Sequence, residues 1–276
     1  MNKHETERPL VNLRRAYLES RYGQLHVRTA FPSTGGFDEH LPLVCLHPAL
    51  HSSRSLAAFL PEIGSDRSVY ACDTPGSGES DAPPQAPPLG AYAAAIGDFL
   101  DSLRLRHVDV LGVHTGAAIA AELAIARPTG VRRVVLVGVP MPSAAERETW
   151  TQAPWPAPPV EDGSHLARDW QRLLAGRGPG VSLGQLAADF AEQMHGGSAA
   201  AWSLAATYAW PGRERLPLIT QQTLVLRPHD ELWEATLRAQ PLLKNATCED
   251  LRDLGGGLFE TAPHVVAARV RAFLDR

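Results

Sequence analysis

LGVHTGAAIAAELA, residues 111–124, is the stretch on which the fold turns. It opens inside VDVLGV at 108–113, an apolar run of strand length, and closes inside GAAIAAELAIA at 116–126, an alanine-rich run of helix length. Between them Gly112 and Gly116 stand four apart around Val113, His114 and Thr115. Glycines so placed let a strand reverse sharply into a helix with backbone packed on backbone. VRRVVLVGV at 131–139 follows as a second apolar strand, completing a strand–helix–strand unit.

Upstream, QLHVRTA at 24–30 alternates, LPLVCLH at 41–47 reads as a buried strand, SRSLAAFL as a short helix, and RSVYACD at 67–73 as another buried strand. Ile96, Phe99, Leu100 and Leu103 form the stripe of an amphipathic helix over 92–103. Near-continuous Val/Leu strands alternating with helices predict an α/β fold, with a mostly parallel sheet covered on both faces.

Past residue 139 the rhythm breaks. Residues 140–217 carry PMPSAAERETWTQAPWPAPP, the glycine-laden RGPGVSLG, and weakly periodic helical runs at 166–174, 186–194 and 199–208. Five of the six tryptophans fall there. The rhythm then resumes with QTLVLR as strand, ELWEATLRAQPLL as helix, ATCEDLRDL as strand and HVVAARVRAFLDR as last helix, with Val266, Val270, Phe273 and Leu274 on its buried stripe. One α/β core, residues 1–139 and 218–276, is thus expected to carry a helical Trp/Pro-rich insertion at 140–217. No internal period of solenoid or propeller length is present.

The 276 residues hold 26 basic and 30 acidic side chains, a net charge of −4, with no basic cluster, so neither nucleic acid nor a membrane surface is an expected partner. MNKHETERPL lacks an apolar leader core, and no apolar run has spanning length. Cys45, Cys72 and Cys248 are odd in number and far apart, as in a reducing compartment. A cytoplasmic protein is expected.

Five segments in order resemble the α/β-hydrolase superfamily: LHPALHSS at 46–53, CDTPGSGES at 72–80, LGVHTGAAIAAELA, LVLRPHDELW at 224–233 and DLGGGLFETAP at 253–263. The resemblance implies an oxyanion loop in the first, a nucleophile elbow in the third, the triad acid Asp230 in the fourth and the triad base in the fifth. The chain departs from that scheme twice. His114 stands where a Ser, Cys or Asp nucleophile is expected, and Gly256 stands where the base histidine is expected; His264, in the next helix, is not a substitute. His47-Pro48 also replaces the usual His-Gly.

Serine catalysis needs a hydroxyl, an imidazole and a carboxylate in sequence. Here the expectation is a relocated dyad: the longer His114 side chain points into space vacated at Gly256 and bonds Asp230, beside backbone N–H groups of Ala49 and Thr115 that would hold an oxyanion. Asp230 also suits a helix N-cap before ELWEAT. His51, Trp155 and Trp202 are candidate pocket residues, and the insertion is placed where this superfamily carries its lid. The Pro-Gly-Ser-Gly at 75–78 reads as a turn, not a phosphate loop. No cofactor is expected and no metal: His47 and His51 share a Pro-containing loop without acidic or Cys partners at ligand spacing. The expected ligand is an apolar or aromatic small molecule.

Three functions fit. The first is a non-hydrolytic biosynthetic enzyme (cyclase, isomerase, lyase or decarboxylase) using His114 as acid/base on a carbonyl compound. The second is an ester or thioester hydrolase or acyl transferase with His114 as nucleophile. The third is a ligand-binding pseudoenzyme.

Overall fold

Alternate residues of the central strands divide between two apolar clusters. Val44, Leu46, Val110, Val134, Leu136 and Val225 face one side, and Leu43, Cys45, Leu111, Val135, Leu224 and Leu226 the other. A strand whose two faces are both buried needs apolar residues at every position, which is why these segments read as unbroken Val/Leu runs. The computed structural model describes residues 11–33, 39–152 and 156–276. Met1–Leu10 and Trp155 therefore lie outside the described residues.

The strands are β1 (Val11–Ser20), β2 (Gly23–Pro32), β3 (His40–Leu46), β4 (Arg67–Cys72), β5 (Val108–Val113), β6 (Val131–Val137), β7 (Gln222–Pro228) and β8 (Ala246–Leu251). They form one sheet in the order β1-β2-β4-β3-β5-β6-β7-β8. β1 and β2 pair antiparallel with each other, β2 antiparallel with β4, and all remaining neighbours run parallel.

The helices are α1 (Phe59–Ile63), α2 (Leu89–Ser102), α3 (Thr115–Ala126), α4 (Ala144–Gln152), α5 (Ser164–Ala175), α6 (Leu183–His195), α7 (Gly197–Ala209), α8 (Gly212–Arg215), α9 (Trp233–Ala239), α10 (Leu258–Thr261) and α11 (Pro263–Leu274). α2 and α3 supply the cluster on one sheet face, and α1, α10 and α11 the cluster on the other. The mostly parallel, doubly covered α/β sheet is as the sequence implies.

Two boundaries differ from expectation. β1 was not anticipated: it is an edge strand with Leu13 and Tyr17 about half exposed, so its apolar signal is thin. The helix expected from Glu231 begins at Trp233, because Asp230 and Glu231 are spent on a turn closed by Trp233 N–H donating to the Asp230 carbonyl.

Helices α4 to α8 all fall between β6 and β7. α5 and α6 pack through an edge-to-face contact of Trp170 and Phe190, centroids 5.7 Å apart. Trp210, by contrast, is buried in the α2/α3 cluster and donates from Nε1 to Glu122 at 2.7 Å, while Arg215 grips the same carboxylate. The end of the insertion is thereby pinned to α3. No helix among the described residues is long and apolar enough to cross a membrane.

Candidate active site

The turn between β5 and α3 is held by close backbone approach. A Cβ on Gly112 would stand 2.1 Å from the Gly116 carbonyl oxygen, and one on Gly116 would stand 2.2 Å from the Leu46 carbonyl oxygen. Only glycine fits at either place. The turn forces His114 to φ 50° and ψ −111°, a sparsely populated conformation for a side chain with a Cβ, costing on the order of 1–3 kcal/mol. Its N–H donates to Val137 and its carbonyl accepts from Ala117, so the strain is locked in from both sides.

His114 Nε2 lies 2.9 Å from Asp230 Oδ2. Asp230 follows β7, is 1% exposed, and uses its other oxygen to accept the Leu232 N–H at 2.9 Å. One carboxylate thus both orients the ring and closes the turn before α9. The position of Gly256 is open, and the glycine that directly borders the ring is Gly138. A Cβ at Gly256 would meet nothing within 4 Å, whereas one at Gly138, directly after β6, would stand 2.5 Å from His114 Cδ2 and 2.8 Å from Nε2. Gly138, at φ 64°, is what lets the ring cross from β5 to the end of β7.

Sequence reasoning missed a second carboxylate as well. Glu231 Oε1 lies 3.4 Å from His114 Nδ1, from a position 69% exposed. Burial works against charge on the ring, but Asp230 and then Glu231 outweigh it and raise the His114 pKa to about 9. Near neutral pH both ring nitrogens therefore carry hydrogen and the imidazole is a cation.

Among the described residues neither the Ala49 nor the Thr115 N–H is taken up by a hydrogen bond. Thr115 is buried at the start of α3, and its hydroxyl accepts from Thr207 of α7 at 3.1 Å. Ala49 lies in the loop after β3, which Asp73 ties down by accepting from the Ser53 N–H at 2.7 Å, the Glu79 N–H at 3.0 Å and His26 Nδ1 at 2.8 Å. Burial opposes the charge on Asp73, yet these donors and the nearby His47 together lower its pKa to about 2. His47 is a second strut. Its Nε2 accepts the Thr74 N–H at 2.9 Å, so Nδ1 carries the hydrogen and donates to the Pro48 carbonyl at 2.7 Å.

His51 is half-buried on the same loop, with a covered Nδ1 that has no hydrogen-bond partner among the described residues. Burial, with the charge of His114, outweighs nearby Glu192 and Glu231 and lowers its pKa to about 4. Acidic partners absent at ligand spacing in the sequence are brought to His51 by the fold: one ligand atom each from His51, Asp189 and Glu192 lie within 4.8 Å of one another. Both carboxylates come from α6 in the insertion, far away in sequence, so no spacing could have revealed them. Trp202 is half-buried on α7.

A family description, "alpha/beta hydrolase fold", matches residues 42–159. Over those residues the chain is similar to that family, and its sheet order and helix placement are of the α/β-hydrolase type. This α/β-hydrolase-fold chain superposes on the enol-lactonase from Burkholderia xenovorans LB400 with a TM-score of 0.77 at 15% identity, covering 95% of this chain and 100% of that one. It superposes on an esterase from Rhodococcus sp. ECU1013 with a TM-score of 0.75 at 22% identity, covering 95% and 98%. An epoxide hydrolase from an endophytic Streptomyces gives 0.73 at 18% identity, covering 95% of each chain. In sequence it is similar to 2-hydroxymuconate semialdehyde hydrolase of Pseudomonas sp. (strain CF600), 32% identical over 117 residues. That match spans 41% of this chain and 40% of the relative. At such identities the solved structures speak for the fold.

Proposed function

We propose that this protein is an enzyme that moves a proton on an apolar, carbonyl-containing small molecule without forming an acyl-enzyme, as in cyclase, isomerase, lyase or decarboxylase chemistry of a biosynthetic route. The observation that carries this reading is the elbow imidazole bracketed by Asp230 at 2.9 Å and Glu231 at 3.4 Å. A ring with both nitrogens protonated has no lone pair to attack an ester, but it is a strong hydrogen-bond donor and a general acid. Beside it the Ala49 and Thr115 N–H groups would receive the oxygen on which charge develops as a carbonyl becomes an enolate, either by loss of carbon dioxide or by passing its α-proton to the Glu231 carboxylate, after which the imidazolium returns a proton to the product. The missing base at Gly256 removes the group that serine chemistry needs in order to turn over.

The insertion 140–217 serves as the lid, with Trp202 offering aromatic surface to a planar ligand. That a sequence relative is named for a semialdehyde substrate supports a carbonyl compound here. The hydrolase, lactonase and esterase activities for which the relatives are named favour a second reading, hydrolysis or acyl transfer with His114 as nucleophile. It requires the ring to shed a proton that two carboxylates hold on it.

The test is deuterium exchange at carbons adjacent to carbonyl groups. Aryl ketones, β-keto acids and enol lactones are incubated with the protein in D2O and followed by NMR. Exchange or decarboxylation that His114→Ala abolishes is the expected result. Turnover of p-nitrophenyl esters with an acyl group trapped on His114 would establish the nucleophile reading instead. Ligand binding that survives His114→Ala, with no reaction on any compound, would make the protein a pseudoenzyme.

A further inference from the structure

α6 begins at a capping box in which Ser182 and Gln185 satisfy each other's backbone N–H groups. That fixed start sets Asp189 and Glu192, three apart and so on one face, over the loop carrying His51. The Glu192 carboxylate accepts from the Ser52 hydroxyl, and Arg54 stands 3.9 Å away. Asp189 has no hydrogen bond or ion pair among the described residues, although half its surface is covered. Glu260 of α10 adds a third carboxylate, whose pKa is raised to about 7 by burial first and then by the charges of Asp189 and Glu192. Covering an unpaired carboxylate and a bare imidazole nitrogen is costly, and among the described residues Asp189 and His51 Nδ1 have no partner to offset that cost.

We propose that His51, Asp189 and Glu192 bind a divalent first-row transition-metal cation, clamping α6 to the loop after β3. The ligand atoms already lie within 4.8 Å of one another. Donors around one such ion stand about 3–3.5 Å apart, given metal–ligand lengths of about 2.0–2.2 Å, so small side-chain rotations close the cage. One imidazole nitrogen with two carboxylate oxygens suits Zn2+, Mn2+ or Co2+, whereas Ca2+ and Mg2+ take oxygen alone. A neutral imidazole with an unclaimed nitrogen is the form a metal requires.

A comparison within the molecule sharpens the choice. His40, Asp66 and Asp275 are grouped as closely. There, however, Arg67 and Arg271 already neutralise both carboxylates, Arg67 lying 3.0 Å from Asp66 and 2.5 Å from Asp275. The His51 group has no such arginine pairing, Arg54 aside.

The experiment is Zn2+ titration of the chelator-stripped protein by calorimetry, with Co2+ absorption spectra as a second readout of an N/O donor set. The expected result is one equivalent per chain, weakened at least tenfold by Asp189→Asn and by His51→Ala, unchanged by His40→Ala, and not matched by Mg2+ or Ca2+. Circular dichroism of the metal-free variants checks that each is folded, and Glu192→Gln replaces any that is not. Absence of saturable uptake, uptake indifferent to the His51 and Asp189 variants, or uptake lost with His40→Ala would overturn the proposal. Because the readout is metal uptake, failure here leaves the proton-transfer reading standing, and the reverse also holds.

Discussion

Replacing Asp230 by Asn isolates the charge that makes the elbow imidazole a cation. Asparagine keeps the shape and the oxygen that accepts the Leu232 N–H at 2.9 Å, and removes the charge facing His114 Nε2. Two unit charges centred about 4 Å apart at an effective dielectric of about 20 interact by about 4 kcal/mol, roughly three pKa units. The ring is 19% exposed, so some of this is screened, and a fall of roughly two units from the folded value of about 9 is expected.

The sign for stability follows from the direction of the shift. A pKa raised on folding from 6.5 to about 9 contributes stability that is complete below 6.5 and lost as pH rises through 9. At pH 7 those two values correspond to about 2.5 kcal/mol, and by pH 10 to roughly nothing. Urea unfolding of wild type and Asp230→Asn should therefore differ by about 2–3 kcal/mol at pH 7 and by less than about 1 at pH 10. A carbon-13 NMR titration, with the His114 signal assigned by its loss in His114→Ala, should place the wild-type ring well above pH 7. A stability gap equal at both pH values, or a wild-type ring titrating below pH 7, would refute the cationic imidazole.

Gly138→Ala puts a Cβ 2.5 Å from His114 Cδ2 at a φ of 64°; it should cost about 1–3 kcal/mol and, by pushing the ring off Asp230, lower the His114 pKa in the same NMR titration. Asp73→Asn removes a carboxylate whose pKa is depressed from 3.8 to about 2, so its stabilisation is present above 3.8 and disappears as pH falls through 2; the variant should lose about 2–3 kcal/mol at pH 7 and close on wild type near pH 2 in urea curves. His114→Ser combined with Gly256→His should hydrolyse p-nitrophenyl acetate above the rate of wild type and either single variant, since a Cβ at Gly256 meets open space. Equal rates in all four proteins would mean that the nucleophile and base positions are misassigned.

The core of the fold was legible because strand positions buried on both faces must be apolar, and the inner stretches 43–46 of β3, 110–113 of β5, 134–137 of β6 and 224–226 of β7 are. β1 was not, because an edge strand with Leu13 and Tyr17 facing solvent obeys no such demand. At the site, the His114–Asp230 contact could be anticipated because both follow the ends of parallel strands, where the topology brings them together. Gly138 carried a faint signal, a glycine interrupting an apolar strand end, but which ring it admits depends on how β6 lies between β5 and β7. Glu231 was visible only as the neighbour of Asp230. That its exposed carboxylate turns back toward Nδ1 is a matter of side-chain direction, which sequence does not encode. The pairing of His51 with Asp189 and Glu192 joins a core loop to the insertion, and no local pattern links the two.

Strain and charge together argue against a ring that only fills space. A residue with φ 50° and ψ −111° costs stability wherever it carries a Cβ, and a half-buried cation costs more unless it is paired. Packing alone would be served by glycine at the turn, which the backbone accepts freely, or by an apolar side chain over Gly138 that needs no carboxylate. Position 114 instead keeps the strained backbone, adds a titratable ring, and surrounds it with one buried acid, one exposed acid and two unbonded N–H groups. The exposed acid is the informative member of the set. Asp230 suffices to orient the ring, whereas Glu231 can reach both His114 Nδ1 and solvent. That gives the imidazole a route to recover a proton without passing through Asp230, which is what a general acid that turns over requires.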